Sequence, residues 1–144
     1  MANSKDIVRG FYDTAYLQKD IARASQGLDP SFVLHDPSRG GDIKGPEAWK
    51  KSQLLYMDAI ADYKLTIKKQ FSEGDTVATH WVTEGKQAKD LPGIPASGKR
   101  FSISGISITR VSGDKIVEEW MVWDTLGFLE QLGAVDIQKI QRVA

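Results

Sequence analysis

The chain has 144 residues, 41% of them hydrophobic and 26% charged, with Lys+Arg and Asp+Glu equal at 19 each. That length suits one domain spanning 1–144 with a substantial core, and the balanced charge gives no reason to expect nucleic acid or an anionic membrane as partner. The absence of cysteine excludes disulfides, thiolate metal sites and a cysteine nucleophile. With only His35 and His80, a histidine metal site is a poor reading, so neither metal nor cofactor is expected. MANSKDIVRG lacks an apolar run of signal-peptide length and no segment reaches membrane-spanning length, which reads as a cytoplasmic protein.

Ser4 can cap a first helix, in which Ile7, Val8, Phe11, Tyr12 and Ala15 recur at helical spacing. Asp20 can cap a short second helix that stops at Gly27. FVLHDP reads as a short strand closed by Pro37, and SRGGDIKG as a loop. Pro46 suits the first turn of a helix running as far as Asp62, with Trp49, Gln53, Tyr56 and Ile60 along one stripe. Period two then takes over. YKLTIKKQF and TVATHWVTEGKQ are joined by the hairpin signal SEGD, and RFSISGISITRV and KIVEEWMVW by SGD. Between the two hairpins lies KDLPGIPASGK, a loop with two prolines and two glycines. Phe101 and Ile103 share one parity, Ile106 and Ile108 the other, so Gly105 between them suggests a bulge. LGFLEQL forms a last helical turn, and the tail beyond it reads as loosely ordered. Helices first and long antiparallel strands afterwards predict an α+β fold, a curved antiparallel sheet wrapped around N-terminal helices.

FVLHDP, GPEAW and GIPASGKRFSISGISITRVSGDKIVEEWMVWDTLGFLEQLG, in that order, resemble the SnoaL-like polyketide and ester cyclases. These belong to the cone-shaped nuclear-transport-factor-2-like superfamily, and the resemblance covers residues 5–133. It implies a cofactor-independent acid/base enzyme acting on a carbonyl-containing small molecule, most like the intramolecular aldol cyclisation of a polyketide ester. It also implies that Asp124 is the acid/base group. Against the ketosteroid isomerases, another branch of the fold, Asp36 falls on the general-base aspartate and Tyr12 on the oxyanion-binding tyrosine. Their second oxyanion donor, an acid, is matched by Ser107, which argues against isomerase chemistry. The limonene-epoxide-hydrolase branch has Arg two residues before its strand Asp, where this chain has Val122. Because the fold hosts binding modules as well as enzymes, a non-catalytic small-molecule binding protein is the alternative.

On an unbroken strand, Glu118, Trp120, Val122 and Asp124 share one face and Glu119, Met121 and Trp123 the other. If the first face lines a cavity, Asp124 beside Trp120 is desolvated and suited to general-base work. The plain alternative is a cap for the helix that starts near Leu126. His35 and Asp36 point to opposite faces; His35 suits a polar pocket group near Asp124, and Asp36 is either a site group or part of an Asp-Pro turn. Tyr12 can polarise a carbonyl or sit in the core. Trp49, Trp120, Tyr56 and His80 are candidate substrate contacts, each equally readable as packing. Trp81, Met121 and Trp123 on an outer sheet face predict a homodimer. Leu91 and Ile94 in the Pro/Gly loop predict a lid at the pocket mouth, with contact to a partner subunit as the alternative.

Overall fold

A computed structural model of the chain describes residues 3–136. Asn3 caps α1 (Ser4–Tyr12), its Oδ1 accepting the Asp6 N–H at 2.9 Å. Ser4, expected to be that cap, is the first helical residue instead, and its hydroxyl donates to the Gly74 carbonyl at 2.7 Å. α1 buries Val8, Phe11 and Tyr12 and runs into a π-helical turn, Asp13–Leu17, closed by the Gln18 N–H on the Asp13 carbonyl at 2.8 Å. Asp20 caps α2 (Ile21–Ser25) as its side chain type predicts, accepting the Arg23 N–H at 3.0 Å.

β1 (Leu28–His35) starts earlier than FVLHDP suggested, and β2 (Ile43–Lys44) lies inside the stretch that composition read as loop. Gly45, at φ 89°, makes the left-handed entry into α3 (Pro46–Ala59), a conformation that favours glycine. The helix ends three residues short of Asp62 because Ile60 is already extended and paired with Gln87. β3 (Ile60–Glu73), β4 (Thr76–Gln87), β5 (Arg100–Ser112) and β6 (Lys115–Trp123) follow, then α4 (Thr125–Gln131). The end of the tail, residues 137–144, lies outside the described residues, and with it the expectation of loose order there.

The six strands form one curved, unclosed sheet in the order β2-β1-β6-β5-β4-β3. The two sequence-signalled hairpins pair antiparallel, with Gly74 and Gly113 at positive φ in their turns. One pair, β1 with β6, is parallel, which brings the ends of two distant segments side by side at His35 and Trp120. No helix among the described residues is long and apolar enough to cross a membrane.

Gly105 does not mark a bulge. β5 alternates without interruption, burying Phe101, Ile103, Gly105, Ser107, Thr109 and Val111, and its register with β4 is continuous through Gly105. The glycine is required because the Trp81 ring lies over it, where an added Cβ would overlap the indole. The irregularity is one strand along. Val111 pairs with Ile116 and Arg110 with Glu118, which leaves Val117 as an extra residue in β6. That insertion inverts the parity of everything after it. Ile116 and Glu119 are buried, while Trp120 and Val122 are exposed on the outer face beside Ile108 and Ile106. Trp81, Met121 and Trp123, expected outside, all face inward.

Two clusters make the core. One gathers Val8, Phe11 and Trp49 from the helices against Phe32, Leu34, Val77 and Ile116. The other gathers Ile60, Tyr63, Phe101, Ile103, Phe128 and Leu132, with Leu91 and Ile94 packed against it. In the loop between β4 and β5, Leu91 and Ile94 exchange backbone hydrogen bonds of 2.9 Å across Pro92-Gly93. Buried Gln87 anchors this loop, donating to the Ile94 carbonyl at 3.0 Å and accepting from the Ser97 hydroxyl at 2.8 Å.

Candidate active site

A cavity of about 150 Å³ opens where the two clusters meet. α1 and the π turn contribute Tyr12 and Tyr16, α3 contributes Gln53 and Tyr56, and β3 contributes Tyr63. The sheet's inner face supplies Trp81, Thr83, Ser107, Glu119 and Trp123, and Phe128 of α4 closes one side. π turns recur at functional sites; this one carries Tyr16 into the cavity beside Tyr12, with the two rings 5.6 Å apart.

Glu119 is one of two acids in the cavity lining, the other being Asp36. Burial pushes the Glu119 carboxyl from an ordinary 4.5 up to about 7, with the nearby Asp36 charge adding to the rise and a hydrogen bond with Ser107 opposing it. Ser107 is fully buried, and its Oγ also accepts the Trp81 indole N–H at 3.1 Å. Tyr12 is tied to Ser107 and Thr79, and burial, reinforced by the Glu119 charge, raises its hydroxyl far above the usual tyrosine range. Tyr16 and Tyr56 are likewise raised by burial, and Tyr63 is pushed up to about 12. All four phenols therefore stay protonated and can donate. Thr83 lies beside Tyr56 and Tyr63 in the lining, its hydroxyl close to both phenols.

Asp36 is at the other end of the lining, with its side chain 2% exposed. Four donors hold it: the Ser38 N–H at 2.9 Å, the Ser38 hydroxyl at 2.7 Å, the Trp123 indole at 3.2 Å and Arg39 Nε at 3.3 Å. With four donors on its two oxygens, the carboxyl group of Asp36 anchors Ser38, Arg39 and Trp123. Glu119 is the group poised to exchange a proton near neutral pH.

The residues singled out from sequence separate into three places. Tyr12, Asp36 and Tyr56 line the cavity. His35 and Trp120 lie on the other side of the sheet, in an outer groove of about 420 Å³, stacked with their ring centroids 5.4 Å apart. His35 bridges Glu118 at 2.7 Å and Asp42 at 3.0 Å, and these bonds, Glu118 first, raise its pKa above 6.5. Asp124, Trp49, His80, Leu91 and Ile94 line neither space. Asp124 is exposed and caps α4, accepting the Gly127 N–H at 2.8 Å. Trp49 is 1% exposed and packs on Phe11 at 5.2 Å; His80 is exposed on the outer face of β4. Leu91 and Ile94 belong to the second cluster rather than to the cavity wall. Asp124 and His35 fall outside the cavity because the Val117 bulge turns their expected neighbour Trp120 outward and because the strand ends before Asp124.

Residues 6–132 match the family of SnoaL-like polyketide cyclases. The chain belongs to that family. As a member of the SnoaL-like cyclases it is a cyclase-like enzyme. Aklanonic acid methyl ester cyclase DnrD of Streptomyces peucetius is 29% identical over 107 residues, covering 74% of this chain and 71% of the relative. TsrD from Streptomyces laurentii superimposes with a TM-score of 0.80 at 27% identity, over 92% of this chain and 96% of that one. A Catenulispora acidiphila protein with a ketosteroid isomerase-like fold, solved with trimethylamine, gives a TM-score of 0.75 at 18% identity over 89% and 92% of the chains. That last likeness concerns the fold alone, the nuclear-transport-factor-2-like cone.

Proposed function

We propose that this SnoaL-like cyclase is a cofactor-independent acid/base enzyme on a carbonyl-containing small molecule, most like an intramolecular aldol cyclase, with Glu119 as its proton-transfer group. The supporting observation is a carboxyl buried on the sheet's inner face among protonated tyrosines, with its pKa raised to about 7. Ionised Glu119 takes the proton from the carbon alpha to a carbonyl. The enolate carbon attacks the second carbonyl, forming the C–C bond, and the resulting alkoxide takes the proton back from Glu119. Tyr12 donates a hydrogen bond to the enolate oxygen, and Ser107 positions both groups. Both reacting carbons belong to one substrate, so confinement removes much of the entropic barrier.

The test is turnover of aromatic polyketide esters and simpler carbon acids, and deuterium exchange at their acidic carbons, by the wild type and Glu119→Gln. A loss of at least about 100-fold in kcat for the variant is expected of a general base. Turnover retained to within a few-fold would remove Glu119 from the chemistry. Ligand binding without turnover or exchange would leave the chain a binding protein on an enzyme's fold.

The same reading includes a homodimer, on a different face from the one the sequence pattern indicated. Ile106 pairs with Val122 and Ile108 with Trp120, so four exposed hydrophobic side chains form one contiguous outer patch. A two-fold contact would cover it on both copies. Light scattering should give twice the 16.0 kDa chain mass, and Val122→Glu should return it to 16.0 kDa.

A further inference from the structure

Arg39 is unlike every other residue of the cavity lining. Among the described residues it is the only cation there, and the only lining residue on the exposed surface, its side chain being 38% exposed. Like Asp36 and Met121 it also borders the outer groove, and its exposure places it at the rim of the interior cavity. Its Nε–H is committed to Asp36 at 3.3 Å, and among the described residues its Nη groups have no hydrogen-bond partner. Asp36 does not need them, because Ser38 and Trp123 supply its other donors. The Nε bond orients the guanidinium plane and leaves paired N–H groups of a fork that fits a carboxylate.

The space behind that rim has a definite size. Ligand pockets for drug-sized molecules run from about 300 Å³ upward, whereas an apolar cavity of about 150 Å³ accommodates a single benzene. The interior here is 150 Å³ and is lined by aromatic rings with a few polar groups. It therefore encloses one ring, or an open chain of the same bulk, with any further part of the molecule at the rim.

We infer that Arg39 is a specificity-determining residue and that the substrate is a one-ring-sized carbonyl compound carrying a carboxylate, its body in the interior cavity and its carboxylate on the Arg39 Nη groups. This rests on the interior cavity being the reactive site, and it departs from an ester substrate in one respect, the free acid. An ester in the same place offers one weaker carbonyl acceptor and no charge, so Arg39 would discriminate between the two forms.

Benzoate and methyl benzoate are probes of matched size that differ in that feature. By titration calorimetry or NMR, wild type should bind benzoate at least about tenfold more tightly than methyl benzoate, the scale of one charge-assisted bidentate contact. Arg39→Gln should collapse that ratio to within about threefold, while Arg39→Lys should keep part of it. In wild type alone, benzoate should shift both the Arg39 Nε–H and the Trp81 indole resonances, and methyl benzoate only the indole. This pair of signals decides the matter even where Arg39→Gln fails to fold. Equal affinity for the two probes, a preference that survives in Arg39→Gln, or benzoate that leaves the Arg39 resonance unmoved would each overturn the assignment. So would 2-naphthoate binding as tightly as benzoate, because the interior would then admit two rings. Glu119→Gln should keep the benzoate preference. A Glu119→Gln variant that turns over normally while the preference stands would sink the acid/base reading and leave this one intact.

Discussion

β5 and β6 are neighbouring strands of one hairpin, rich in the same kinds of residue, yet they read differently. β5 looks irregular in sequence, because its large apolar residues change parity at Gly105, and it is regular in the fold. β6 shows no change of parity in sequence, EEWMVW being two acids followed by four apolar residues, and it is the strand with the extra residue. The difference teaches that hydrophobicity is a poor guide to facing where both faces of a sheet are to be covered. Ile106 and Ile108 are apolar and exposed, while Ser107, Thr109 and Glu119 are polar and buried. Ser107 and Glu119 on the inner face line the cavity, where polar groups can be accommodated, rather than the packed clusters. The outer face carries apolar groups.

Insertion of one alanine between Glu118 and Glu119 is the strongest way to break that comparison. Glu118 would stay outward beside His35 and Arg110, while the alanine would face inward and Glu119 outward, the one-residue slip that exchanges the faces of a strand. With Glu119 out of the cavity and Trp120 driven into it, we expect loss of turnover and a fall in Tm of more than about 10 °C, the scale of several kcal/mol in a domain of this size. An insertion variant that melts and turns over like wild type would mean that the facing of β6 does not set the site.

Glu119→Gln is next, and here pH sharpens the comparison. Glu119 has a folded pKa of about 7 against an ordinary 4.5, so between those values the unfolded chain releases its proton first. Wild-type stability should be highest below pH 4.5 from this group, fall as pH rises to about 7 and then level off, a loss of roughly 3 kcal/mol. Denaturant melts at pH 5 and pH 8 should show that difference in wild type and lack it in Glu119→Gln. A general base also requires kcat/KM to rise with pH through about 7. A flat profile between pH 5 and 9 would contradict the role.

Gly105→Ala should cost about 1–3 kcal/mol by urea unfolding, because the new methyl displaces the Trp81 ring from a well-packed position. A bulge at Gly105 would have tolerated it. Asp124 comes last. As the α4 cap it should lose about 1 kcal/mol on change to Ala and almost nothing on change to Asn, with turnover within a few-fold in both. A collapse of kcat in Asp124→Asn would return Asp124 to the chemistry.

Much of the fold is legible in the residues. Asp20 before α2, Pro46 opening α3, SEGD and SGD between alternating strands, and the order of FVLHDP, GPEAW and the G-I-P loop each specify a local geometry, and together they lead to the α+β cone. Tyr12 and Asp36 are legible as site residues through the resemblance to the ketosteroid isomerases, and Tyr56 through the stripe it shares with Trp49 and Gln53 on α3. Glu119 was hidden by the misplaced parity, although EEW offered two acids of opposite facing from which to choose.

What the sequence by itself determines is therefore whatever depends on near neighbours along the chain: helices, turns, hairpins and their order. Tertiary structure decides which face of β6 looks inward, since a bulge is a property of two strands held in register and leaves no mark on one of them. It also decides that Asp124 is a cap and that Glu119 is the raised acid. A carboxyl's pKa depends on what surrounds it in space, and here the surroundings come from α1, β1 and β5 as well as its own strand.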